Sequence, residues 1–276
     1  MPGQLRWRTK VLAGLTLLLV VLDVVLGRLA HGGGGAIAVI ALAVPALGLV
    51  ILRRQPANSI GLLLLGFGTG LSFYAAAGTY AVLDYHVHRG RLPLGLPAVL
   101  IESELWIGIF LTLPVVILLF PDGQLSRVWR LVLRAYVAAA VLIVAVLIGS
   151  TASRVAGTRI VINGKGQLVD NPFPSGALAI PFLVLLGTVP VFWALFVARQ
   201  ATSWRQATNE RREQLKWLMA GGVLTVCGFG STFAFAQFSG TAVTVGVAVS
   251  LALGLFSLPV GISVGILKFR LYDIDR

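Results

Sequence analysis

The stretch TAVTVGVAVSLALGLFSLPVGISVGIL, from Thr241 to Leu267, runs without a single charged residue. A helix crosses about 30 Å of hydrocarbon with about 20 mostly apolar residues, so this segment reads as a membrane span. The same reading applies near residues 11–29, 36–52, 60–83, 98–120, 131–149, 177–198 and 217–236. The last of these is split from 241–267 at Gln237-Phe238-Ser239-Gly240, because one continuous helix over both would reach about 75 Å. The predicted fold is therefore all-α: a polytopic integral membrane helix bundle of about eight transmembrane helices, read as a single domain over 1–276.

Composition agrees. Of the 276 residues, 57% are hydrophobic and 12% charged, against roughly 25% charged in an ordinary soluble protein. So few charges do not cover the surface of a water-soluble domain of this size. A soluble enzyme, a disordered chain and a secreted disulfide scaffold are excluded. Cys227 is the single cysteine, which leaves no intrachain disulfide, and no His/Cys cluster has zinc spacing.

Charge then orients the spans. Eight spans place both termini on one side, and 16 of the 22 Lys and Arg residues fall on the segments of that side. Only Arg28, Arg89, Arg91, Arg154, Arg159 and Lys165 fall on the other. The positive-inside rule makes the first side, with both termini, cytoplasmic. The net charge of +12 then meets anionic inner-leaflet lipid, and no nucleic-acid partner is needed. Trp7, Trp129, Trp204 and Trp217 flank the cytoplasmic span ends, where indole rings favour the headgroup level. A cleaved signal peptide over the first span is the alternative, but the A-x-A pattern is absent after it.

The longest outer loop, 150–176, places short β-prone runs on either side of Asn163-Gly164, which predicts a hairpin. It is either an ordered connector or a cap over the outer mouth. Pro45, Pro114, Pro181, Pro190 and Pro259 all lie in even-numbered spans, a weak sign of repeated helical hairpins. The last span carries Gly246, Ser250, Gly254, Ser257, Gly261 and Gly265 in one stripe. That stripe packs within the bundle or forms a homodimer face.

Chemistry is sparse. No phosphate-binding loop, nucleophile elbow or HExxH motif occurs, so neither catalytic residues, cofactor nor metal is expected. Asp84, His86 and His88 share an outer loop, and such an HxH pair without further ligands is mostly solvated. Asp23 lies in the outer half of the first span, where an acid is costly and marks a functional candidate. Its alternative is a packing hydrogen bond to Thr69 or Ser72. Glu102 and Glu104 complete the candidate sensing groups and are expected to face the wet outer interface.

Four cytoplasmic motifs stand out together. The first is Arg53-Arg54-Gln55-Pro56-Ala57-Asn58-Ser59-Ile60-Gly61, and the second Phe120-Pro121-Asp122-Gly123-Gln124-Leu125. The third runs from Glu210 through Glu213 to Lys216-Trp217. The fourth runs from Gly265 through Lys268, Phe269, Arg270, Leu271, Tyr272, Asp273 and Ile274 to Asp275-Arg276. In order and spacing this set resembles the N-terminal membrane-sensor region of actinobacterial sensor histidine kinases. It departs at Ser59, where that family more often has a second proline. The resemblance implies a signal exit from the last membrane helix through Lys268, Arg270, Tyr272, Asp273 and Asp275 to a cytoplasmic kinase core or effector. No phosphoacceptor-histidine helix or ATP-binding domain follows Leu267 in this sequence. The expectation is thus a non-enzymatic sensor module, read as a fragment or as a stand-alone relative, with the lipid bilayer, a cytoplasmic effector and a homodimer mate as partners; a small permease or transporter subunit, or a structural membrane subunit, is the alternative. As turn and anchor sequences, Pro-Ala-Asn, Pro-Asp-Gly and the paired arginines also have a purely structural reading.

Overall fold

The computed structural model describes residues 2–30, 42–55, 58–120, 123–169, 173–205, 209–235 and 241–270. It is all-helical, 85% helix and without strands among the described residues. In chain order the helices are α1 (Pro2–Leu29), α2 (Ala43–Arg54), α3 (Ser59–Val82, continued by a π turn at Leu83–Val87), α4 (Gly95–Phe110) and α5 (Leu113–Leu119). Then come α6 (Arg127–Val155), α7 (Ala179–Arg205), α8 (Asn209–Phe235) and α9 (Thr241–Arg270). Six segments among the described residues are long and apolar enough to cross a membrane: α1, α3, α4 with α5, α6, α7 and α9. That marks a membrane protein. The expected spans 36–52 and 217–236 correspond to α2, of which 12 residues are described, and to α8; neither is among the six.

α3 lies at the centre, packed by α1, α2, α4 and α5. Its small residues explain why. In lipid there is little hydrophobic drive between helices, so close backbone approach does the work. A Cβ on Gly48 of α2 would fall 2.7 Å from the Gly61 carbonyl oxygen of α3, and one on Gly68 would overlap the Pro45 ring at 2.2 Å. Thr16 of α1 joins Thr69 of α3 through their hydroxyls at 2.8 Å. By contrast, α6 and α7 sit at the rim. Leu131, Leu142, Ile180, Leu183 and Val184 there are exposed. So large an apolar face suits lipid, not water.

The span expected at 98–120 is broken at Leu111-Thr112 between α4 and α5. Pro114 lacks the N–H that would continue the ladder. The Val115 N–H turns to the Thr112 carbonyl at 3.2 Å, and the Leu111 carbonyl this leaves is taken by the Tyr136 hydroxyl of α6 at 2.7 Å, Tyr136 being buried. Orphaned backbone oxygens at membrane depth are tolerated only when a neighbour satisfies them in this way. Tyr136→Phe keeps the ring and strands that carbonyl. It should cost about 1–3 kcal/mol and lower the melting temperature in detergent by several degrees; an unchanged transition would show that the bond is immaterial.

The small-residue stripe faces α8 of the same chain. A Cβ on Gly228 would stand 2.4 Å from Gly254 N, one on Gly221 2.6 Å from Ser257 O, and one on Gly261 2.5 Å from Trp217 O. The stripe is therefore filled within the bundle, as the packing alternative expects. α8 answers it with its own glycines.

These contacts give the bundle two ends. One gathers the starts of α1, α3, α6 and α8 with the ends of α2, α5, α7 and α9, and it carries the four motifs. The other carries the loop residues 156–169.

Candidate functional site

At the motif end the segments meet. Asn58 caps α3, its Oδ1 accepting the Ile60 N–H at 2.9 Å, while its Nδ2 donates to Gln55 Oε1 at 2.8 Å. Gly123, at φ +72°, presses on Ser59, whose Cβ and Oγ would both lie 2.9 Å from an added Cβ. This contact sits at the position where the resembled family carries proline. Phe120 joins Ile51, Ile60, Leu64, Leu215, Leu218, Leu258, Ile262 and Ile266 in one buried core. Gly265 of α9 lies against the Gln214 carbonyl at 3.1 Å and the Phe120 ring at 3.3 Å, measured from its Cβ position. Arg53 and Arg54 are exposed in the last turn of α2, where cations complement the helix dipole. Glu213 and Lys216 form an exposed ion pair one turn apart, which adds little stability. Pro56, Pro121, Asp122, Tyr272, Asp273 and Asp275 lie outside the described residues, as do the side chains of Lys268 and Arg270.

Two residues outside the motifs tie this end together. Arg199 donates to the carbonyls of Leu118 and Gln124, and Gln200 to those of Ile117 and Phe120. They satisfy the carbonyls at the end of α5, which no longer has helix beyond it. Their signal in the sequence is a polar pair at the edge of an apolar run, and it is easily passed over beside Arg205.

At the loop end, four acids among the described residues are buried: Asp23, Asp84, Glu102 and Glu104. Asp23 is 2% exposed, and its Oδ1 accepts from Thr79 Oγ1 of α3 at 2.5 Å. The expected partners are otherwise engaged: Thr69 bonds Thr16 and the Leu65 carbonyl, and Ser72 the Gly68 carbonyl. The bond is to a hydroxyl of a neighbouring span, but about two to three turns further along α3 than Ser72 and Thr69. Asp84 accepts the Leu92 N–H at 2.8 Å and crowds Gly95, whose Cβ position lies 1.7 Å from Oδ2. A carboxylate there complements the N-terminus of α4. His86 and His88 are exposed, and no group of three metal-ligating side chains occurs among the described residues.

Glu102 and Glu104 do not face water. They are 5% and 3% exposed. The reason is the loop over residues 156–169, which lies down on α3 and α4, and α6, which closes the other face of α4. Thr151 Oγ1 of α6 donates to Glu104 Oε1 at 2.6 Å, and Arg154 bonds Ser150 Oγ at 2.6 Å and Thr151 Oγ1 at 2.8 Å.

The loop has a hairpin-like turn, with one antiparallel bridge between Ile162 and Leu168 in place of strands. Asn163 N–H donates to Gln167 O at 2.8 Å, and Asn163 Oδ1 accepts from the N–H groups of Lys165 and Gln167. Leu168 N–H donates to Ser103 Oγ at 3.0 Å, and Gln167 Nε2 to Tyr74 Oη at 3.3 Å. Ile162 is buried with Ala81, Ala98 and Val99. The loop is a cap docked into the bundle mouth. Tyr74 and Ser103 as partners of the cap, Thr79 as the partner of Asp23 and Thr151 as that of Glu104 were unforeseen, because each is set by the offset between helices.

No family model, no curated protein and no solved structure matches the chain.

Proposed function

We propose that the chain is a membrane-embedded sensor module that relays a change at its loop end through α9 to a cytoplasmic effector, without catalysis of its own. The observation that carries this reading is the convergence of the first three motif segments on the last turns of α9, where the fourth begins. Ile262, Gly265 and Ile266 there contact the segments before Pro121 and Trp217, so a shift of α9 is felt by all of them. The resemblance to the input region of actinobacterial two-component kinases points the same way. In this reading the protein crosses the plasma membrane eight times, with both termini cytoplasmic, and pairs as a homodimer with a kinase core or other effector.

Orientation has its own test in a Cys227→Ser background. Gly164 is the exposed tip of the cap with open space around it, so Gly164→Cys should react with an impermeant thiol reagent in intact cells. Asn209→Cys should react only after the membrane is opened. The reverse pattern would overturn the topology.

The function is tested with a dimeric kinase core fused after Arg276. Asp23→Asn retains an oxygen to accept from Thr79 but replaces the carboxyl group with an amide. Allosteric couplings of 1–3 kcal/mol correspond to about five-fold or more, and output should change by at least that with expression preserved. Unchanged output would remove Asp23 from the relay.

A small permease is the second reading, favoured by the break at Leu111-Thr112 in mid-span, since transporters often place sites at broken helices. Uptake by reconstituted vesicles without any effect of the fused kinase would select it.

A further inference from the structure

The outer face of α6 changes character along its length. Arg127, Arg130 and Arg134 fall within about 60° of one another around the helix and span about 10 Å of its axis. All three are exposed, and no ion pair or hydrogen bond engages their side chains among the described residues. No acid occurs anywhere in Arg127–Val155. Beyond Arg134 the same exposed face turns apolar, with Ala138, Val141 and Leu142 on it. The opposite face, with Trp129, Val132, Leu133 and the buried Tyr136, packs into the core shared with α7.

Arginines at a span end often have a structural use, as other cations of the motif end show. Arg199 holds the carbonyls of Leu118 and Gln124, and Lys216 pairs with Glu213. Arg53 and Arg54 lie in a last helical turn, where the dipole favours them. The α6 arginines have none of these uses. They sit at the end of a helix where the dipole disfavours cations, and they crowd like charges onto one face. Arg134 also stands two turns inside the span segment Arg127–Val155, with exposed Leu131 and Val137 beside it. A cation at that depth in a lipid-facing position is costly unless its long side chain reaches an anion at the headgroup level.

We infer that this face of α6 binds one anionic phospholipid of the leaflet at the motif end, its phosphate held by Arg127, Arg130 and Arg134 and an acyl chain laid along Ala138, Val141 and Leu142. The match is one of chemistry and of length. A guanidinium fork complements a phosphate. Three of them favour a headgroup of net negative charge over a zwitterionic one, whose own ammonium they repel. The ten or so residues after Arg134 cover about 15 Å, one leaflet's share of about 30 Å of hydrocarbon. The lipid would brace the start of α6. Through Trp129, whose ring centroid lies 5.4 Å from the Arg199 guanidinium carbon, it would also brace the turn between α5 and α6, where Arg199 holds the Gln124 carbonyl. The inference rests on a chain that spans the membrane with this end at a headgroup layer, and it does not need the sensor reading.

Native mass spectrometry of the full chain in detergent tests this, with phosphatidylglycerol and phosphatidylcholine of identical acyl chains as probes. The first phosphatidylglycerol should bind about tenfold or more tightly than the first phosphatidylcholine. Arg127→Gln, Arg130→Gln and Arg134→Gln together should remove that preference. Arg134→Gln alone breaks no contact among the described residues and should reduce it by about threefold or more; it decides the matter if the triple variant does not fold. A matched triple, Arg8→Gln with Arg53→Gln and Arg54→Gln, also removes three exposed cations at this end and should leave the preference intact. Inorganic phosphate in large excess should not displace the lipid. Equal loss in the two triples would overturn the proposal in favour of general surface charge. Displacement by phosphate would leave an anion site without a lipid and overturn it too, as would a wild type without preference or an α6 triple that keeps it. Kinase output plays no part in the readout, so failure here is distinct from failure of the sensor reading.

Discussion

Gly228→Leu should abolish the folded protein. The Cβ position at Gly228 is 2.4 Å from Gly254 N, 2.7 Å from Gly254 Cα and 2.8 Å from Ser250 O. All three are backbone atoms, so no side chain can swing aside and the two longest-packed helices must part. Overpacking of a fitted core costs about 1–3 kcal/mol. Here the strain falls on a whole helix pair, together with the Leu258 N–H bond to Thr225 Oγ1 at 3.1 Å, and the cost should meet or exceed the top of that range. Gly222 lies on the same helix with nothing within 4 Å of its Cβ position. Gly222→Leu adds apolar surface toward lipid and should leave expression and size-exclusion behaviour intact. The measurement is the monodisperse fraction in detergent for the two variants side by side. Equal behaviour of both would mean that α8 and α9 do not pack through these glycines.

This pair also shows where sequence reading reaches its limit. The stripe on α9 was legible because glycine and serine recur every three or four residues, yet a stripe has no address. Its filling by α8 depends on Gly221 and Gly228, which read as unremarkable glycines until the two helices are set side by side. The acids behave alike. Asp23 was legible as an anomaly in an apolar run, since a charge in hydrocarbon demands an explanation. Its partner was not, because a sliding offset between α1 and α3 moves the contact from Ser72 to Thr79 without any change of face.

For Glu102 and Glu104 the rule that acids near a span end seek water was overruled by tertiary structure. The docked cap and the Thr151–Arg154 ladder of α6 remove that water. The hairpin turn itself was readable from Asn163-Gly164. Its docking was not, for Ser103 and Tyr74 lie 65 and 93 residues away in the chain. Helix boundaries were off where proline acts with a partner: Pro114 was visible inside the expected span, but the break needs Tyr136 of α6 to take the freed carbonyl.

The central claim is that α9 carries the signal out of the bundle. If so, the phase of this helix relative to whatever follows it decides the output. Ile262, Gly265 and Ile266 fix that phase inside the bundle through the motif-end core, so it cannot slip when residues are added beyond it. A dimeric kinase core is joined after Arg276 with zero, one, two, three or four added residues, and autophosphorylation is measured in membranes. Each residue turns a helix by about 100° and advances it by about 1.5 Å. The account predicts that activity swings by several-fold with one and two residues and nearly returns with about four. A response that is flat, or that falls steadily with length, would contradict it and leave α9 as an anchor.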